Sequence, residues 1–167
     1  MPTRVASDSV DWAEGGRLVL PPHLSRRIFY TSFLILGSVA SAVANDLPVS
    51  AAMAVSLLAT SLNYWRHPIF GWRRNLDVFV ATTSLFYQLA ILSADAPAPA
   101  RSLYFITVGC GGVCYLRSRW QGIYHGDRST SSLYHCGLHL CGNIGNLVLY
   151  DAVGLNYAGW SRASSDG

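Results

Sequence analysis

The hydrophobic positions of this chain fall into five long stretches separated by short polar connections. The stretches cover roughly residues 28–45, 49–65, 77–93, 102–116 and 132–150. Tyrosine and tryptophan cluster near their ends, where amphipathic rings lie at the headgroup level of a bilayer. The pattern predicts five membrane-spanning helices. The fourth, with 15 residues between Arg101 and Arg117, is shorter than the about 20 residues that a bilayer core requires.

The polar residues inside these stretches recur at helical spacing. On one face of the fifth stretch, successive offsets of three or four residues separate His135, His139, Asn143, Asn146 and Tyr150. Similar stripes occur in the first (Ser38, Ser41, Asn45), second (Ser56, Thr60, Asn63, His67) and third (Asp77, Ser84, Gln88) stretches. Polar groups facing lipid tails are costly, so the stripes should point toward one another. We therefore predict an all-α integral membrane bundle of about five transmembrane helices with a polar interior.

The remaining segments are short. Residues 1–27 are predicted to form a surface tail, 28–150 the transmembrane bundle, and 151–167 a partly disordered tail. The proline-rich segment 96–100 predicts a rigid, non-helical turn, and the polar segment 121–132 predicts a loop.

The arginines fix the expected orientation. Ten of the twelve lie in the N-terminal tail and in the second and fourth connections, and two lie in the third connection and the C-terminal tail. Such alternation follows the positive-inside rule. It places the N-terminus on the cytoplasm-like side of the membrane and the C-terminus on the opposite side, and it leaves the organelle open.

Composition agrees with this fold class. Only 13% of residues are charged, against about 25% in soluble domains. The net charge of +3 is spread over the connections, so membrane lipids are expected partners and nucleic acid is not. The four cysteines lie inside the apolar stretches, which argues against structural disulfides.

Four residues that bear metal chemistry are predicted at the Arg-rich end of the bundle. The topology brings His67, Asp77, His135 and His139 to the same side of the membrane. Three imidazoles with an open fourth position form the arrangement of catalytic zinc, and a nearby carboxylate can orient a ligand or deprotonate a bound water. The same side chains can instead form hydrogen bonds between helices, with no cofactor.

These motifs resemble the CREST superfamily of membrane hydrolases, which includes the alkaline ceramidases and the progestin/adiponectin receptors. The family carries a Ser four residues before a His in one helix, an Asp early in the next, and H-x-x-x-H in the last. His135 and His139 would supply the last motif and Asp77 the carboxylate. If His67 is the first-helix His, Asn63 occupies the Ser position. If Ser61 is the Ser, Trp65 replaces the His.

The family also has seven spans where this chain is predicted to have five. The segment from Ser61 to Asp77 is similar as well to small multi-pass membrane proteins of microbes, which carry no assigned function.

Two functions are therefore expected. In the first, the chain is a zinc-dependent hydrolase of lipid amides or esters. His67, His135 and His139 bind zinc in this hypothesis, and Asp77 handles the water. Asn63 or Ser61 would stabilise an oxyanion, and a lipid headgroup would contact Trp72, Arg73 and Arg74. In the second, the chain is a non-catalytic accessory subunit of a membrane complex or a small carrier lined by polar helix faces. Partner subunits or a homo-oligomer are then expected.

Overall fold

The computed structural model describes residues 12–13 and 16–165, with side chains from 18 to 157. A short hairpin, β1 (Trp12–Ala13) and β2 (Gly16–Arg17), precedes the helices. The helices are α1 (Pro22–Ser32), α2 (Ile35–Ala44), α3 (Pro48–Trp65), α4 (Trp72–Ala90), α5 (Ala98–Tyr124) and α6 (Arg128–Ser165). A 3₁₀ helix, Leu92–Asp95, extends α4. The all-α prediction is confirmed.

The first hydrophobic stretch is broken between α1 and α2. The hydroxyls of Thr31 and Ser32 both donate to the carbonyl of Ile28, at 3.0 and 2.9 Å. Such side-chain bonds compete with the regular helical ladder. The break falls at Phe33 and Leu34, and the α-helix resumes as α2 one residue later.

Helix α6 holds the bundle together. It packs against α1, α2, α5 and the 3₁₀ helix, while α3 lies against α1, α2 and α4. At 1.5 Å per residue, the 38 residues of α6 extend over about 57 Å. Helix α6 therefore runs well past Tyr150, into the C-terminal segment predicted to be partly disordered. Helix α1 likewise begins inside the predicted N-terminal tail.

Two predicted connections are wrong. Helix α5 begins at Ala98, inside the proline-rich segment expected to be non-helical. Proline is accommodated in a first helical turn because the amide hydrogen it lacks would have no partner there. The polar segment 121–132 is helical except at residues 125–127, where Gly126 adopts a φ of +66°. Polarity indicated exposure in this case rather than a loop.

Two helical segments are long and apolar enough to cross a membrane. They are Pro22–Ala44, with 23 residues, and Trp72–Asp95, with 24. The criterion is one of length and composition alone. Five spans thus remain an expectation.

Polar side chains are buried where the helices meet. Those that are almost fully buried include Ser32, Ser38, Ser50, Ser61, Asp77, Ser84, Gln88 and Asn143. Ser38 donates to Asn143 at 2.7 Å and accepts from Asn146 at 3.2 Å, which joins α2 to α6. The predicted polar interior is present along these faces. The stripe predicted on α3 is only partly correct, since Ser56 is exposed and bonds to its own turn at Ala52.

Candidate functional site

The start of α4 and the end of α3 meet at a hydrogen-bonded carboxylate. Asp77 is 9% exposed and accepts hydrogen bonds from the hydroxyls of Ser61 at 2.7 Å and Thr60 at 3.3 Å. The chain reverses between the two helices through Gly71, whose φ of +154° favours glycine. Two predicted site residues, Asp77 and Ser61, are thus in direct contact.

A stack of three rings lies at the same end of the bundle. Trp65 packs edge-on against His135 with ring centroids 4.8 Å apart, and His135 lies 5.2 Å from His139 one helical turn away. The Nδ1 atom of His139 and the Nε1 atom of Trp65 are buried without a hydrogen-bond partner among the described residues. The two predicted histidines of α6 therefore form a pair with Trp65 at its end.

The third predicted histidine is elsewhere. His67 is exposed, and its backbone N–H donates to the carbonyl of Tyr64 at 3.1 Å. Asn63 is half-buried on α3, with no side-chain hydrogen bond described. Among the side chains that the structure describes, residues 18–157, no three from His, Cys, Asp or Glu lie close enough to hold a metal ion. The zinc site stays a prediction, which requires His67 or Asp77 to approach the His135–His139 pair.

The three residues predicted to contact a lipid headgroup, Trp72, Arg73 and Arg74, do not lie at one site. Trp72 is 66% exposed, and the Arg73 guanidinium lies 5.7 Å from its ring. Arg74 lies 5.6 Å from the ring of Phe70 and lines a cavity. Of these three residues, Arg74 lines this cavity, and Trp72 and Arg73 lie outside it.

That cavity has a volume of about 390 Å³ and lies between α4 and α5, with walls from the N-terminal segment, α1, α3 and α6. We call it the arginine cavity. The segment Leu18–Leu20 forms part of the wall, because the N–H of Val19 donates to the carbonyl of Pro68 at 2.7 Å. Asp77, Trp65 and His135 also reach its surface. The carboxylate and the ring stack therefore face one shared space.

Two candidate binding residues were not predicted from the sequence to belong to a site. Arg119 and Arg128 line the arginine cavity, whereas the sequence indicated only a role in topology and general contact with lipid headgroups. A signal was present in α5, where Tyr115, Ser118, Arg119 and Gly122 recur at offsets of zero, three, four and seven residues. Such spacing places them on one helical face, and all four line the cavity.

Comparison with known proteins finds no matching family model, no similar curated protein and no similar solved structure.

Proposed function

We propose that this chain is an integral membrane protein that crosses the bilayer five times and handles lipids at the arginine cavity. The observation that supports the membrane location is the inverted distribution of polarity. Serine, asparagine, glutamine and aspartate are buried between helices. Large apolar side chains are exposed on α2 to α6, among them Leu36, Val55, Phe79, Phe86, Ile106, Val113 and Ile144.

This distribution is unfavourable in water. Soluble monomers rarely expose contiguous apolar patches above a few hundred Å², and the apolar exterior here extends over several helices. In a bilayer the same surface meets hydrocarbon, and buried serine and amide groups form the hydrogen bonds between helices. The Arg-rich and Arg-poor connections then emerge on opposite sides, as the sequence predicts.

The topology is tested by labelling single cysteines in sealed vesicles. The four native cysteines are first replaced by alanine, and one exposed connection residue is then changed to cysteine: Asp46→Cys, His67→Cys, Ala94→Cys or His125→Cys. A membrane-impermeant maleimide should reach His67→Cys and His125→Cys from one side, and Asp46→Cys and Ala94→Cys from the other. Labelling of all four from one side, or release of the chain from membranes by alkaline carbonate, would overturn the proposal.

For the chemistry at this end, we retain metal-dependent hydrolysis of a lipid amide or ester as a candidate. Its support is that Asp77, Trp65 and His135 line one cavity. Ser61 bonds to Asp77, and His139 lies beside His135. This grouping corresponds to the alignment in which Trp65 replaces the first-helix histidine. The described residues then offer two imidazoles without a third ligand, and this pair does not fit a three-histidine zinc site as it stands.

Elemental analysis of the purified protein separates the two functional classes. If the enzyme hypothesis is correct, zinc is present in stoichiometric amount and is lost in the His135→Ala/His139→Ala double variant. It is retained in His125→Ala, which changes an exposed histidine outside the cluster. Absence of metal from all three proteins would reject metal-dependent hydrolysis. The non-catalytic accessory subunit or carrier would then be the better interpretation, with the polar stripes serving only in helix packing.

A further inference from the structure

We propose that the arginine cavity binds the phosphate headgroup of an amphiphile, whose hydrocarbon part leaves the cavity sideways between α4 and α5. The proposal names the ligand class of the lipid-handling site and rests on the membrane location proposed above. Three arginines would bind the phosphate, and an apolar lateral opening would accept the hydrocarbon part.

The cavity carries an excess of positive charge. Among the described residues, Arg74, Arg119 and Arg128 line it together with one carboxylate, that of Asp77. Asp77 is engaged by the hydroxyls of Ser61 and Thr60. The described walls thus carry three arginines and one carboxylate that is already hydrogen-bonded, which favours an anionic ligand.

The three arginines come from different parts of the fold and converge. Arg74 belongs to the first turn of α4, Arg119 to the last turns of α5, and Arg128 is the first residue of α6. Tyr64, on α3, lines the cavity together with them. Guanidinium groups that approach from several directions can bond to different oxygens of one phosphate, and their planar fork matches its geometry.

The remaining wall is apolar. Leu18, Leu20, Ile28 and Trp65 form its inner part. Val78 of α4 and Ile123 of α5 line the cavity while being 50% and 58% exposed. These two residues mark an apolar opening toward the outer face of the bundle. A free ion needs no such surface, whereas a hydrocarbon chain does.

The volume of the arginine cavity is sufficient to enclose part of a lipid. A volume of about 390 Å³ is at the small end of the roughly 300–1,000 Å³ range of ligand pockets. It holds a phosphate headgroup and a few methylene groups, and longer acyl chains must extend outside. Farther along, the hydroxyl of Tyr104 on α5 bonds to the side chain of Gln88 on α4 at 3.1 Å. This contact bridges the two helices beyond the cavity.

The test is a binding measurement with the full chain purified in detergent. The probes are dioctanoyl phosphatidic acid, dioctanoyl phosphatidylcholine and inorganic phosphate, titrated by calorimetry. Phosphatidic acid should bind most tightly, because its phosphate is a monoester that carries the greater charge of the two lipids. Loss of one charge-assisted contact should weaken binding about tenfold or more in Arg74→Gln, Arg119→Gln and Arg128→Gln.

Arg117→Gln is the matched control. Arg117 lies two residues from Arg119 on the same helix, is exposed, and places its guanidinium 5.9 Å from the ring of Tyr134, outside the arginine cavity. The substitution removes the same charge, so affinity should change by less than about twofold. Arg119→Lys, which keeps the charge but not the bidentate geometry, should bind with intermediate affinity.

Three other outcomes would overturn the proposal. Inorganic phosphate that binds as tightly as phosphatidic acid, and competes with it, would replace the amphiphile with a small soluble anion. Equal losses in Arg117→Gln and Arg119→Gln would show a diffuse charge effect and overturn the site. Cysteine labelling that confirms five spans, together with no binding of any phosphate probe, would reject this inference alone and leave the membrane proposal standing.

Discussion

The hydroxyl of Ser61 donates a 2.7 Å hydrogen bond to the carboxylate of Asp77 and thereby joins the end of α3 to the start of α4. Both side chains are almost fully buried, at 4% and 9% exposure. A buried carboxylate without donors is costly. This contact therefore stabilises the pairing of the two helices as well as orienting Asp77 at the arginine cavity.

We expect Ser61→Ala to lower the free energy of unfolding by about 1–2 kcal/mol, because Thr60, at 3.3 Å, is the weaker of the two donors to Asp77 among the described residues. Reversible unfolding by denaturing detergent measures the change. Ser56→Ala on the same helix is the control, since Ser56 is exposed and bonds only to its own turn. Equal effects of the two substitutions would contradict the role given to the Ser61–Asp77 contact.

Asp77→Asn separates the charge of this side chain from its shape. An amide oxygen can still accept from Ser61, so stability should change by less than about 1 kcal/mol. If the enzyme hypothesis is correct, activity on a lipid amide should nonetheless fall by a factor of about 100 or more, since an amide is no base. Activity retained in a folded Asp77→Asn protein would remove Asp77 from the chemistry.

A second polar contact group ties three helices together toward the Arg-poor end of the bundle, near the end of α4 and the start of α5. The side-chain amide of Gln88 donates to the hydroxyl of Tyr150 at 2.8 Å and accepts from that of Tyr104 at 3.1 Å. We expect Gln88→Leu and Tyr150→Phe each to destabilise the fold by about 1–2 kcal/mol. Their combination should cost less than the sum, because both remove the same contact.

The double-mutant cycle is measured by detergent unfolding, with Tyr124→Phe as the control for loss of an exposed phenol. A coupling energy near zero would show that Gln88 and Tyr150 do not stabilise each other. The expected coupling is about 0.5–1.5 kcal/mol.

At the Arg-poor end of the bundle, the backbone of α6 at Gly154 lies close to the side chain of Asn45. A Cβ atom added at Gly154 of α6 would overlap the side chain of Asn45, which hydrogen-bonds to Asp151 at 2.9 Å. Gly154→Ala should therefore destabilise the fold by about 1–3 kcal/mol. Gly112→Ala is the control, because nothing lies within 4 Å of its added Cβ. There the better helix propensity of alanine should leave stability unchanged or raised by up to about 1 kcal/mol.

Helical periodicity predicted much of the bundle interior. It placed Ser38 and Asn143 on inward faces, and the two are hydrogen-bonded at 2.7 Å. Periodicity indicates which residues share a face of one helix, but not how far that face is rotated toward each neighbour. For that reason it selected Ser56 on α3, which is exposed, and did not select Ser61 as part of the inward stripe.

The site was harder to predict than the fold. Helical spacing named Asp77 and the His135–His139 pair, whereas Ser61 was named through the resemblance to the CREST superfamily. The arginine cavity was missed, since it requires Arg119 and Arg128 to converge from two helices with the N-terminal segment at Leu18–Leu20. Convergence of this kind depends on tertiary packing, and no spacing within one segment encodes it.

The start of α6 offers a prediction that depends on pH. Asp127 immediately precedes this helix and accepts a hydrogen bond from the backbone N–H of Thr130 at 2.9 Å, as an N-cap residue does. Hydrogen bonds from the Thr130 side chain and backbone lower the pKa of Asp127 below its ordinary value. The folded state thus binds this proton less readily than the unfolded state. The stabilisation by the Asp127 carboxylate is present above the pKa of the unfolded state, about 3.9. It is lost as the pH falls through the pKa of the folded state.

We expect Asp127→Ala to lower the melting temperature by about 2–4 °C at pH 7, since it removes the cap. Asp127→Asn is the informative partner, because asparagine caps a helix but does not titrate. It should melt close to the unchanged protein at pH 7. On acidification toward pH 3, the difference in melting temperature between the unchanged protein and Asp127→Ala should become smaller. The difference between Asp127→Asn and Asp127→Ala should stay the same. If the melting temperatures of the unchanged protein and Asp127→Ala differ by the same amount at pH 7 and pH 3, the carboxylate form of Asp127 contributes nothing to the cap.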